Sequence, residues 1–254
     1  MASPDDHTLA ARIATGAGEL LVEARHNLAR LSVDRWTLQD EGDRRAHDFI
    51  VAALHDARPD DAVLSEEGKD DPSRLTADRV WIVDPLDGTR EYSEGRHDWA
   101  VHVALTEGGR PTAGAVALPA LSRTFATSPP ESLPERNGGR PRMVVSRSRP
   151  PAAAMIIAEA IGAELVALGS AGAKAMSILL GESDIYAHSG GQYEWDNCAP
   201  GAVAAAAGLH VSRADGAEMT YNHADPWLPD LLICRPEFAE QSLAAIREYL
   251  DLAP

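Results

Sequence analysis

A short apolar run, Val80-Trp81-Ile82-Val83, leads directly into Asp84-Pro85-Leu86-Asp87-Gly88-Thr89. Four such residues between polar flanks read as a buried strand. Pro85 has no N–H to give to a ladder, so the strand is expected to end there, with the carboxylates of Asp84 and Asp87 and the carbonyl of Leu86 gathered at its carboxyl end. Oxygens of this kind suit a hard cation. Gly88 permits unusual dihedrals and a close approach, and the N–H groups of Gly88 and Thr89 can form a concavity that receives phosphate.

Around this segment the chain organises itself as layers of helix and strand. Leu9, Ile13, Ala17, Leu20, Leu21, Ala24 and Leu28 recur at helical spacing over Leu9 to Leu31, and Ala46, Ile50 and Leu54 repeat it over Asp43 to Leu54. Ala62 to Ser65, Ala100 to Leu105, Ala113 to Leu118 and Arg123 to Thr127 read as further strands. Pro, Gly and Ser concentrate between Ser128 and Pro141, which marks a linker over 129–141. Beyond it, strands at Met143 to Ser146, Glu164 to Leu168, Asp184 to Ala187 and Leu231 to Cys234 alternate with helices. The helices are expected at Pro151 to Ile161, Ala173 to Leu180, Cys198 to Ala207 and Pro236 to Leu250. The fold class is therefore α/β, with an α+β half over 1–128 and an α/β half over 142–254, joined as one compact unit. Pro200 falls in the first turn of the Ala-rich helix.

Charge narrows the chemistry. Asp plus Glu number 39 against 23 Lys plus Arg, a net −16, which opposes binding to a nucleic-acid polymer. An anionic small molecule is acceptable to such a chain only if bound cations invert the local field. No run is long and apolar enough for a bilayer and no secretory signal opens the chain, so a cytoplasmic protein without a membrane partner is expected. Cys198 and Cys234 have no metal-ligand spacing.

Two more acidic pieces stand at element ends: Glu66-Glu67 after the strand Ala62 to Ser65, and Trp195-Asp196 before the Ala-rich helix. Alone, the first would be a solvated loop and Asp196 a helix cap. Together with Asp84 and Asp87, and without a His or Cys cluster, they favour Mg²⁺ over Zn²⁺. Asp43, at the start of the second helix, is equally an N-cap.

The Glu-Glu pair, the Asp-Pro-aliphatic-Asp-Gly-Thr segment and the later Trp-Asp occur in the order found in the inositol monophosphatase superfamily, which the chain resembles over nearly its whole length. That resemblance implies a layered α-β-α-β-α sandwich, a homodimer, Li⁺ sensitivity, and two or three Mg²⁺ ions. It implies Glu66, Asp84, the Leu86 carbonyl, Asp87 and Asp196 as metal ligands, with phosphate against Gly88 and Thr89. Asp43 would pair with Thr89 to activate water beside Glu66. The loop Thr37 to Gly42 departs from the family's pattern, being shorter and lacking its Lys and Thr.

Gly169-Ser170-Ala171-Gly172-Ala173-Lys174 resembles the superfamily's bisphosphate-nucleotidase branch, in which a Lys on this helix meets the nucleotide's 5′-phosphate. Ser189 stands where inositol phosphatases carry a Glu, and His188 where nucleotidases carry a basic residue. By resemblance, then, Ser170, Lys174, His188 and Ser189 face the substrate. The reaction implied is removal of the 3′-phosphate from 3′-phosphoadenosine 5′-phosphate and its sulfated form, linked to sulfate assimilation. Phosphatases of inositol phosphate or fructose bisphosphate use the same metal chemistry and remain alternatives, as does a non-catalytic phosphometabolite sensor.

Overall fold

The computed structural model describes residues 2–31, 33–136 and 138–252. Asn137, within the expected linker, lies outside them. Helix α1 spans Pro4–Arg30; Ser3 accepts from the Asp6 N–H while Asp6 accepts in return from the Ser3 N–H, so two orphan donors of the first turn are satisfied. Helix α2 spans Arg35–Ala57, capped by the Asp34 side chain on the Thr37 N–H at 2.8 Å. The expected start at Asp43 was too late. Gly42 looked like a loop residue, yet it is buried inside the helix because a Cβ there would lie 3.0 Å from both Leu86 and Tyr92. Asp43 is consequently a mid-helix residue, and its N-cap reading falls away.

The first sheet joins β1 (Ala62–Ser65), β2 (Arg79–Asp87), β3 (Ala100–Glu107), β4 (Arg110–Leu118) and β5 (Arg123–Ala126) in that order. β1 pairs parallel with β2 and the remaining pairs are antiparallel. β2 does not stop at Pro85. Asp84 pairs with His102 and Asp87 with Ala100, so one extra residue of β2 is absorbed in a bulge at the position where proline has no donor to lose. Helix α3, Thr89–Ser93, follows at once.

The second sheet has the order β7-β6-β8-β10-β9, formed by β6 (Arg142–Ser146), β7 (Glu164–Leu168), β8 (Ile185–Tyr193), β9 (His210–Ser212) and β10 (Trp227–Cys234). Helices α4 (Ala152–Ile161), α5 (Ala171–Leu179), α6 (Glu194–Ala206) and α7 (Pro236–Leu252) accompany it. α6 begins earlier than the Ala-rich stretch suggested, which puts Asp196 inside its first turn and Pro200 in its interior.

Strand alternation decides the layering. Trp81 and Val83 of β2 pack with Ile13, Leu21 and Ile50 of α1 and α2, whereas Val80 and Ile82 face Met176, Ile178 and Val203 of α5 and α6. On the second sheet Val144 and Tyr186 join that same middle core, while Met143 and Ile185 pack against α4 and α7 through Ile157 and Phe238. The result is α1α2, sheet, α5α6, sheet, α4α7, the five-layer sandwich expected. Helices covered by sheets on both sides must be thin, and every residue of α5 is buried in a sequence of mostly Ala, Gly and Ser.

Candidate active site

The carboxyl end of β2, the loop after β1 and the start of α6 meet at one place. Carboxylate oxygens of Asp84, Asp87 and Asp196 lie within 4.8 Å of one another. Each carboxylate has one oxygen fixed by its framework. Asp84 Oδ1 accepts the Leu86 N–H at 3.0 Å, and Asp196 Oδ2 accepts the Tyr193 N–H at 2.6 Å as the reciprocal half of the α6 cap. Asp87 Oδ2 accepts the Ser170 hydroxyl at 2.6 Å and the Gly172 N–H at 2.7 Å, with His102 Nε2 3.2 Å away.

Electrostatics differ sharply within the cluster. Burial and then the Glu66 and Asp87 charges push Asp84 well above its usual range. Glu66 is open to solvent along its length, but its carboxyl end shares a hydrogen bond with Asp84; local burial and the Asp196 charge push it to about 7. Asp196 is raised to about 6, by burial first and Asp87 second. Asp87 alone is held at about 2, because His102, its Nε2 3.2 Å away, and the charge of Lys174 outweigh its burial. Like charges crowded without a neutralising partner favour protons or a cation. An all-oxygen donor set with bound framework hydrogen bonds fits a hard divalent ion, which would relieve the repulsion.

Beside this cluster, Gly88 adopts φ +90°, and a Cβ there would meet Ser170 at 2.9 Å and Trp99 at 3.2 Å, so glycine is required both by conformation and by space. Thr89 Oγ1 donates to the Leu86 carbonyl at 3.2 Å and is hydrogen-bonded to Asp43. Asp43 is raised to about 8 by burial and by Glu67, Glu66 and Asp40, with Thr89 opposing. The pairing of Asp43 with Thr89 thus exists although Asp43 arrives from the third turn of α2.

The residues expected to face substrate are placed less uniformly. Ser170 caps α5, its hydroxyl accepting from the Ala173 N–H at 2.9 Å while donating to Asp87. Lys174 is only 4% exposed. Its ammonium donates to the Gly169 and Ser170 carbonyls, and sits 5.4 Å from the Tyr186 ring centroid. Burial lowers its pKa against the pull of Asp87 and Asp196. Lys174 is not the exposed helix residue it would be by default. His188 and Ser189 lie on β8, where His188 Nε2 approaches the Gly191 carbonyl at 2.9 Å and Ser189 Oγ accepts the Ala153 N–H at 3.2 Å.

Sequence reading missed His102. It is fully buried on β3, with Nδ1 2.9 Å from the Trp195 carbonyl and Nε2 on Asp87, so it ties the β2 acids to the strand of chain that carries Asp196. Its ring closes so tightly on α5 that a side chain at Gly172 would collide with it. The one sequence signal was a lone imidazole in an otherwise apolar strand.

A family model described as the inositol monophosphatase family matches residues 5–250. The 3′-phosphoadenosine 5′-phosphate phosphatase of Mycobacterium leprae is 48% identical over 96% of this chain and 94% of its own. The 3′(2′),5′-bisphosphate nucleotidase CysQ of Escherichia coli is 32% identical over 73% of this chain and 80% of its own. Among solved structures, CysQ from Bacteroides thetaiotaomicron superposes with TM-score 0.78 at 27% identity, covering 91% of this chain and 97% of that one. Inositol monophosphatase II of Staphylococcus aureus reaches the same TM-score at 20% identity, a likeness of fold, covering 96% of this chain and 94% of its own. With the acidic cluster, the five-layer architecture and a match along almost its whole length, the chain belongs to the inositol monophosphatase family.

Proposed function

We propose that this protein is a Mg²⁺-dependent phosphatase that removes the 3′-phosphate from 3′-phosphoadenosine 5′-phosphate, giving AMP and phosphate. The observation that carries the reading is the cluster of Asp84, Asp87 and Asp196, in which only Asp87 is held down by cationic neighbours, standing in a chain 48% identical to a phosphatase of that name.

Glu66, Asp84, the Leu86 carbonyl, Asp87 and Asp196 would hold two or three Mg²⁺ ions. Bound there, the ions supply charge stabilisation of the phosphoryl group and of the departing ribose oxygen. The chain's own residues do the rest. The N–H groups of Gly88 and Thr89, at the start of α3, hold the reacting phosphate. Thr89 Oγ1 must turn its proton from the Leu86 carbonyl to Asp43, giving it up as it accepts one from the attacking water, with Glu66 orienting that water from the other side. A proton acceptor raised toward neutrality is matched to this task.

On the substrate side, Lys174 offers the fixed cation that a second, non-reacting phosphate needs in a protein of net charge −16. Its present partners are two carbonyls just ahead of its own helix, so engagement requires the ammonium to turn from them. Ser170 and His188 border the same side, whereas Ser189, on the opposite face of β8, accepts the Ala153 N–H of α4 on its hydroxyl. In this division of labour residues 1–128 carry most ligands, 142–254 carry Asp196 and the specificity residues, and 129–141 link them. Placement in the cytoplasm as a homodimer, inhibition by Li⁺ and a role in sulfate assimilation belong to the same reading.

The deciding experiment measures phosphate release side by side on 3′-phosphoadenosine 5′-phosphate, inositol monophosphate and fructose bisphosphate, with EDTA and with Mg²⁺ restored. The nucleotide should be the preferred substrate and EDTA should abolish release. Turnover that survives EDTA, or preference for either sugar phosphate, would overturn the assignment.

A further inference from the structure

The proposed ligands come from separate parts of the chain. Glu66 opens a run, 66–71, that is exposed at all but Gly68, and Asp196 sits at the head of α6 beneath the second sheet. Besides the His102 tie, a polar chain centred on a buried arginine runs from Asp70, four residues after Glu66, to Glu194, two residues before Asp196. Arg74 is 1% exposed. Its guanidinium donates to Asp70 Oδ1 at 2.6 Å and Oδ2 at 3.0 Å, and through Nη1 to Asn222 Oδ1 at 2.8 Å and the His223 carbonyl at 3.0 Å. Asn222 Nδ2 returns a bond to the Arg74 carbonyl at 2.9 Å. The N–H groups of Asn222 and His223 then donate to Glu194 Oε2 and Oε1 at 2.7 and 2.8 Å, and His223 Nδ1 lies 2.7 Å from Glu194 Oε1. Glu194 is fully buried and two residues before Asp196.

Asn222 is at φ +64°, one of two non-glycine residues with positive φ among those described. Asparagine tolerates that region at some cost, and such a conformation persists when its surroundings over-determine it. Here the surroundings are the two partners themselves. The backbone of Asn222 serves Glu194 and its side chain serves Arg74, so the strained residue is the joint of the connection.

We propose that Arg74, Asn222 and Glu194 form a clamp that sets the spacing between Glu66 and Asp196, and with it the affinity of the site for a divalent cation. The inference rests on the metal-site reading above. Arg74 and Asn222 touch no substrate and act as positioning residues. Partners hydrogen-bonded directly to metal ligands change metal affinity by about 10- to 100-fold when removed, and the clamp, acting one step further out through Asp70 and Glu194, should reach the lower end of that range. A purely structural connection would alter folding stability instead.

Asn222→Gly separates the two. Glycine accepts φ +64° without strain and keeps the N–H to Glu194, but removes both side-chain bonds to Arg74. Binding of Mn²⁺, counted by electron paramagnetic resonance of the free ion, should weaken about 10-fold in this variant while Tm in EDTA stays near wild type. Arg74→Lys, which keeps a cation for Asp70 but loses the fork, should fall between the two proteins. Wild-type Mn²⁺ affinity in either variant, with or without a loss of Tm, overturns the clamp. Absence of saturable Mn²⁺ binding in the wild type would instead overturn the metal-site reading on which it rests.

Discussion

Strand β2 carries an acidic cluster at each end, and the two have opposite electrostatic fates. At its start, Arg79 donates to Asp61 at 2.9 and 3.0 Å, to Asp6 at 3.1 and 3.3 Å, and to Glu107 at 3.1 Å. Arg58 adds a second cation on Asp6 at 2.9 Å. At its far end Asp84 and Asp87 meet Glu66 and Asp196 with only His102 and the more distant Lys174 in return. Asp6 is driven far below the usual carboxylate range because its arginines outweigh burial, whereas Asp84, Glu66 and Asp196 are driven up. The start gathers three acids, each bonded to an arginine, and the far end four, of which only Asp87 is held down by its cationic neighbours. A cluster left so short of cations is built to accept one from outside.

Substitution at the unneutralised end should have the largest effect on turnover and the wrong sign for a stabilising residue. Asp84→Asn keeps an oxygen for the Leu86 N–H but removes charge; kcat should drop about 10³-fold. Tm in EDTA should rise, since one repelling charge is gone. Near-normal turnover, or a lower Tm in EDTA, would make the two ends of β2 equivalent after all. Asp43→Asn comes next, with kcat falling about 10²-fold through loss of the proton acceptor. The Mg²⁺ dependence of its Tm should match wild type; a shift would recruit Asp43 to the ligands.

Lys174→Ala is expected to raise KM for 3′-phosphoadenosine 5′-phosphate about 10- to 100-fold, the worth of a charge-assisted contact, with kcat little changed. Inositol monophosphate, lacking a second phosphate, should scarcely notice. Equal losses on both would show that the ammonium serves only the Gly169 and Ser170 carbonyls.

At the neutralised end activity should not respond at all. Asp6→Asn is expected to cost about 2 kcal/mol of stability at neutral pH with unchanged kcat, the arginines being partly exposed and so partly screened. Because folding depresses the Asp6 pKa, its contribution is present above the unfolded value of 3.8 and is lost as pH falls below it. Denaturation curves of wild type and Asp6→Asn should therefore converge in acid; a constant gap from neutral pH down to acid would exclude the ion pair as its source.

Local pattern made much of this legible. The strands at 62–65 and 164–168 have the expected bounds, and the β2 segment displayed three of the five proposed ligands in one stretch. Errors arose where a residue's reason lies far away in the chain. Gly42 suggests a break until Leu86 and Tyr92 are seen against it. His102 has nothing nearby to identify it, since its partners are fifteen residues back at Asp87 and far ahead at Trp195. Lys174 was legible as a charge on a helix, but its burial against Tyr186 was not.

The middle layer has an evolutionary corollary. Helices α5 and α6 are enclosed between two sheets, and close packing there leaves almost no volume for a longer side chain. Ser170 and Asp196 are mounted on those same helices, so the frame that aims them has little freedom to drift. Sequence change that broadens or narrows what the site accepts must be carried at exposed positions beside it, such as Tyr193, three residues before Asp196, and Trp227, its partner across β8 and β10.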